Sequence, residues 1–267
     1  MLKKISVKDL YPLALAEGEG VGTAYEYYAK RLMLALWLSN ANPPDRMLIA
    51  GLPQKYGASL DFVLLAAELN AELVIVDDRP DALVHCESAV RTMINQGHFP
   101  DIKPEYLLTR HIPTLPELSA EFDLALSSET LQRIPQEDQP LFIRSVLNSA
   151  ARFAIFTPNG DNPAHTSLSG LSGLRLDELV RLAGHALDGG ADSQTEKIPE
   201  FGYLDMPPFP PGITRTEDQR AQASTGTLEA IAMWGLTWYA HLEHWLPGGL
   251  RHDKSHIVYA FLDNFPR

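Results

Sequence analysis

The residues best placed to do chemistry stand where short apolar runs stop. Gly51-Leu52 follows Met47 to Ala50, Asp77-Asp78 follows Leu73 to Val76, His111-Ile112 comes shortly after Tyr106 to Leu108, and Ser127-Ser128-Glu129 closes Phe122 to Leu126. Each residue type suits a task. Gly51 lets the chain turn sharply and come close to a ligand. A carboxylate such as Asp77, at the end of an apolar strand, can accept two hydrogen bonds from a vicinal diol, the plainer reading being a solvated strand end. His111 can stack on a base or accept a proton, although a lone loop histidine is more often structural. Ser127, Ser128 and Glu129 can face a transferring group, and Ser128 can equally cap a turn. Arg79 suits phosphate or carboxylate recognition, with a surface pair to Asp78 or Asp81 as the simpler expectation. His241, His244, His252 and His256 crowd the C-terminal part, but their spacing is too loose to assign a metal.

These positions meet only if the apolar runs lie side by side in a parallel sheet, which places ligands beyond the carboxyl ends of its strands. The stretch Phe122 to Asn159 reads as strand, helix, strand: an apolar run, a segment opened by Pro135 with Leu141, Phe142, Val146 and Leu147 at helical spacing, and a second run from Phe153 to Phe156 stopped by Thr157-Pro158-Asn159. Upstream, a helix is expected over Thr23 to Leu38, with Thr23 as its cap and Glu26 three residues on, inside an N-terminal helical segment spanning 1–45. Further helices are expected over Ser59 to Leu69, Asp81 to Ile94 and Leu174 to Leu187, the last ended by Gly189-Gly190. His256 to Leu262 reads as a final strand. Before it, 199–250 forms a Pro- and Trp-rich helical insertion in which Leu228, Ile231, Gly235, Trp238, Leu242 and Trp245 share a stripe. That stripe suits core, a lid over the carboxyl edge of the sheet, or a homo-oligomer contact through the helix at 217–246. The pattern makes an α/β chain, a single doubly wound domain over 1–267.

Composition removes several partners. A formal charge of -12, with no basic run longer than Lys3-Lys4, argues against nucleic acid. No stretch approaches the ~20 apolar residues that span a bilayer, and the start of the chain lacks a secretory pattern. Cys86 is the single cysteine, expected as an inert buried thiol in a reducing compartment. A cytoplasmic protein is the expectation.

With these residues placed, the chain resembles the class I S-adenosylmethionine-dependent methyltransferases. FDLALSSETLQRIPQEDQPLFIRSVLNSAARFAIFTPN resembles that family's fourth strand to fifth strand, and HTSLSGLSGLRLDELVRLAG at 165–184 its following loop and helix. The spacing of Leu115-Pro116 before Phe122-Asp123 also agrees. The resemblance implies a Rossmann-like, mostly parallel seven-stranded sheet and S-adenosylmethionine as cofactor, held by Gly51, Leu52, Asp77, Asp78, His111, Ile112, Ser127 and Ser128, with Asp77 on the ribose hydroxyls. Three positions depart from the family. Ile49 stands where it keeps an acid, and Pro53 takes the place of its second glycine, where proline offers no N–H and cannot adopt positive φ. At the third strand His111 replaces the acid that contacts adenine. The alternative expectation is therefore a catalytically inactive binding or assembly protein of the same fold. A nicotinamide enzyme ranks behind both, because GLPQKYG is a poor dinucleotide loop.

Overall fold

The computed structural model describes residues 4–54, 57–115, 122–187, 199–208 and 227–263, leaving aside the side chains of Leu168 and of 227–229. Pro116, Gly189-Gly190 and the first part of the helix expected at 217–246, up to residue 226, lie outside the described residues.

Seven strands form one sheet: β1 Arg46–Ala50, β2 Glu72–Asp77, β3 Glu105–Leu108, β4 Leu124–Ser128, β5 Arg152–Pro158, β6 Glu200–Leu204 and β7 Ile257–Asp263, in the order β3-β2-β1-β4-β5-β7-β6. The first five are parallel. β7 runs antiparallel to both β5 and β6, so the sheet is mixed at this edge. The helices are α1 Val7–Ala16, α2 Val21–Trp37, α3 Leu60–Leu69, α4 Pro80–Asn95, α5 Gln139–Ser149, α6 Pro163–Ser169, α7 Leu176–Leu187, α8 Thr227–Trp245 and α9 Gly248–Arg251.

Alternation along the strands divides the core in two. Met47, Ile49, Leu73, Ile75, Leu124, Leu126 and Phe156 face α1, α2, α3, α4 and α8. Leu48, Ala50, Val74, Val76, Ala125, Phe153 and Ile155 face α5 and α7. Both faces of the sheet are thus dry, as a parallel sheet requires. Among the described residues, no helix is long and apolar enough to cross a membrane.

Three expectations need correction. The polar lead before the first expected helix contains a helix of its own, α1, where the Ser6 N–H donates to Asp9 Oδ2 at 2.7 Å; Pro12 inside it hides the pattern. The next helix starts at Val21 behind Gly20, so Thr23 lies within it and is not its cap. The segment from Pro199 holds the sixth strand, β6, where the sequence pattern predicts the start of a helical insertion. Its Gly202 allows the Tyr259 ring to cross, since a Cβ there would stand 2.9 Å from that ring.

Candidate active site

β1 lies between β2 and β4, which continue the sheet in opposite directions, so the loops after β1 and β4 border the switch point where such sheets bind ligands. Gly51 makes the turn with φ +81, and its N–H donates to the Val76 carbonyl at 2.8 Å. Thr130, after β4, fills the space a side chain would need, because a Cβ at Gly51 would fall 2.3 Å from Thr130 Cγ2. Thr130 Oγ1 also donates to the Leu52 carbonyl at 3.4 Å. The loops after β1, β2 and β4 are thereby joined.

Asp77 is fully buried and crowded with donors. Oδ1 accepts from the Arg79 N–H at 2.9 Å and Arg79 Nε at 2.8 Å, while Oδ2 accepts from the Leu52 N–H at 2.7 Å, Arg79 Nη2 at 3.0 Å and Arg133 Nη2 at 2.8 Å. Burial works to raise its pKa, but the Arg79 hydrogen bond and the Arg133 charge outweigh it and hold the carboxyl below the usual range. Arg133 Nη1 takes Asp78 as well, at 2.7 Å. Arg79 pairs with Asp77, not with the expected Asp78 or Asp81, because the end of β2 turns Asp77 inward beneath it. A carboxylate has about four lone-pair sites. A ribose diol therefore does not fit on Asp77 while both arginines stay in place.

Beside this network lies a cavity of about 40 Å³ lined by residues including Glu17, Glu26, Lys30, Pro53, Asp61 and Ser128. Lys30 is 2% exposed. It donates to Ser128 Oγ at 2.8 Å, pairs with Glu26 Oε1 at 2.5 Å, and sits 5.7 Å and 5.6 Å from the ring centroids of Phe62 and Phe156. Burial opposes its charge, but Glu26 and Asp61 more than compensate and keep it an ammonium, with Glu129 adding to the field. Burial raises Asp61 to about 6, and Oδ2 of this side chain has no hydrogen-bond partner. Burial likewise raises Glu17 to about 8, although it accepts from Tyr27 Oη and from the Leu60 N–H at 3.1 Å. Glu26, Asp61 and Glu129 set three carboxyl groups around this one amine. Such a pocket favours a cation.

The other expected positions separate. Ser127 is 1% exposed and its Oγ has no partner. Ile112 belongs to the core against α5, while His111 is half-exposed with Nε2 3.9 Å from Asp138 Oδ2. The C-terminal histidines scatter: His241 meets Tyr28 Oη at 3.1 Å, His252 lies 3.4 Å from Asp161, and His256 Nδ1 bonds Asp205 Oδ2 at 3.0 Å with His165 stacked on it. Among the described residues, no group of three or more His, Cys, Asp or Glu is set to hold a metal. Cys86 is buried, its Sγ directed at the Ala58 carbonyl, and burial pushes the thiol up to about 12.

Sequence reasoning missed Lys30, Asp61, Glu17 and Arg133. Lys30 carried a signal, because Tyr27, Met33 and Leu34 surround it at helical spacing on a buried face. Asp61, between Leu60 and Phe62, is also a charge inside an apolar run. For Arg133 the sequence offers none.

No protein-family model and no curated protein matches the chain. Solved structures do. The plantazolicin methyltransferase BpumL in complex with SAH is similar at 13% identity with a TM-score of 0.56, over 97% of this chain and 96% of that one. The methyltransferase domain of bacterial-CtHen1-CN is similar at 11% identity with a TM-score of 0.53, over 88% of this chain and 97% of that one. This chain therefore has the fold of the class I S-adenosylmethionine-dependent methyltransferases.

Proposed function

We propose that this chain is a methyltransferase that uses S-adenosylmethionine to methylate a small molecule. The observation that carries the reading is the cavity at the switch point, where Glu26, Asp61 and Glu129 surround Lys30 and leave an excess of negative charge. Bound S-adenosylmethionine supplies a methyl group on a sulfonium and carries a second cation in its amino-acid end. Asp61 and Glu26 would hold the ammonium of that end, Lys30 would face its carboxylate, and the rings of Phe62 and Phe156 keep the neighbourhood dry, which strengthens each charge contact. Methyl transfer proceeds largely by alignment, so the site needs no dedicated nucleophile.

The charge set fits this cofactor, whereas the carboxylate expected to take its ribose is covered. The same Arg79 that covers Asp77 donates from Nη2 to the Leu52 carbonyl at 2.8 Å and the Pro53 carbonyl at 3.3 Å, holding the loop that walls the cavity. Release of Arg79 is therefore the step that would free both Asp77 and the loop. BpumL, bound to SAH, supports the cofactor assignment by likeness of fold alone, and nothing in the comparisons favours an inactive binding or assembly protein. Parallel titrations with S-adenosylhomocysteine and with NAD test the reading. Saturable binding of the first and none of the second is expected; the reverse pattern would move the chain to the nicotinamide enzymes.

A further inference from the structure

We propose that the outward face of α8 is a docking surface for a second copy of this chain, the two helices packing antiparallel about a twofold axis near Trp238. Sequence periodicity leaves open whether the stripe of Ile231, Gly235, Trp238, Leu242 and Trp245 lies in the core. It does not. Met233, Leu236, Ala240 and Glu243 turn inward onto α1 and α2, and the Val7 N–H donates to Thr237 Oγ1 at 3.0 Å, fixing the helix to the body. The stripe is left outside, joined by Trp234, because both faces of this helix are apolar.

Ile231 is 61% exposed, Trp234 64%, Trp238 60%, Leu242 63% and Trp245 82%. With about 250 Å² for a whole tryptophan, these five offer on the order of 750 Å² of apolar surface, close to the ~800 Å² per partner of a standard stable interface. Scattered exposed apolar residues need no explanation, but five on one helix face form a patch of the size that marks an interaction site.

The chemistry selects a second copy. From 230 to 245 the outward face holds no Asp, Glu, Lys or Arg, since Glu243, the sole charged residue there, points inward. An isologous contact brings each patch against itself, and a face without charge meets its own copy without repulsion. The spacing is compatible too: about Trp238, antiparallel pairing sets Ile231 opposite Trp245 and Trp234 opposite Leu242. Gly235 lies inside this stripe, where a Cβ would meet nothing within 4 Å, so the helix backbone is open to an approaching ring. A lipid surface fits poorly. Helices that lie on membranes carry Lys and Arg on their polar face; α8 has neither, and the chain's charge of -12 opposes anionic lipid.

Sedimentation of the full chain across a concentration series tests this. The wild type should run at twice 29.6 kDa. Trp238→Glu should weaken the dimer by roughly 100-fold, as expected for a charge placed at the centre of an apolar interface. Leu242→Glu should act in the same direction. Both side chains are exposed in the single chain, so circular dichroism spectra and thermal midpoints, compared at a dilution where wild type and variants are all monomeric, should coincide and exclude misfolding as the cause. A wild type that stays monomeric at every concentration would overturn the proposal, as would dimers that persist in both variants. So would a monomer that floats with phosphatidylcholine vesicles, which would point to lipid.

Discussion

Arg79 lies over Asp77 with two nitrogens, Nε 2.8 Å from Oδ1 and Nη2 3.0 Å from Oδ2, and Nη2 also reaches the Leu52 carbonyl. One guanidinium thus closes a carboxylate and a loop together, and the three loops around the switch point behave as one unit.

Removing that guanidinium should open the site. Arg79→Ala is expected to tighten S-adenosylhomocysteine binding by about tenfold, because the cofactor would no longer displace charged hydrogen bonds of ~1–3 kcal/mol. Calorimetric titration of wild type and variant reads this directly. Weaker binding by the variant would show that Arg79 holds the cofactor and does not compete with it.

Gly51 is fixed by its neighbour as much as by its own backbone. With φ +81 and a Cβ position 2.3 Å from Thr130 Cγ2, Gly51→Ala should cost roughly 1–3 kcal/mol in urea unfolding. Thr130→Ser, which deletes that methyl, should recover part of the loss. If Gly51→Ala has wild-type stability, the joint between the two loops is not as described.

The buried acids set a pH dependence. Burial raises Glu17 from 4.5 to about 8, Glu243 from 4.5 to about 7 and Asp61 from 3.8 to about 6. A raised acid binds its proton more tightly when folded, so its contribution is complete below the unfolded value and is lost as pH rises through the folded one. Stability should therefore fall between pH 4.5 and 8, each group adding a slope of up to ~1.4 kcal/mol per pH unit within its own window. Denaturant unfolding of Glu17→Gln should show a flatter profile between about pH 5 and 8; an unchanged slope would mean that Glu17 titrates normally.

The sequence makes the strand ends visible, because each apolar run stops at a polar or glycine residue and a parallel sheet collects such ends at one edge. Gly51, Asp77 and Ser128 are located in the fold by that rule alone. What those side chains touch is not legible. Asp77 reads as open to a ligand because Arg133, far along the chain, gives no sign of folding back onto it. Lys30 is hidden for a different reason: charges on a surface helix are usually solvated, and only Tyr27, Met33 and Leu34 around it mark the face as buried. In α8 two apolar faces compete, and periodicity cannot choose which turns inward. β6 escapes because a five-residue edge strand with a central glycine has little alternation to detect.

The claim that the carboxylates around Lys30 hold the ammonium of the cofactor's amino-acid end is tested most directly by titrating S-adenosylmethionine into wild type and Asp61→Asn at about pH 7.5, above the raised value of Asp61. Asparagine keeps the shape and removes the charge. The account predicts saturable binding by the wild type and a Kd about tenfold higher in the variant, since a lost charged contact is worth ~1–3 kcal/mol. Equal affinities, or no binding by either protein, would contradict it.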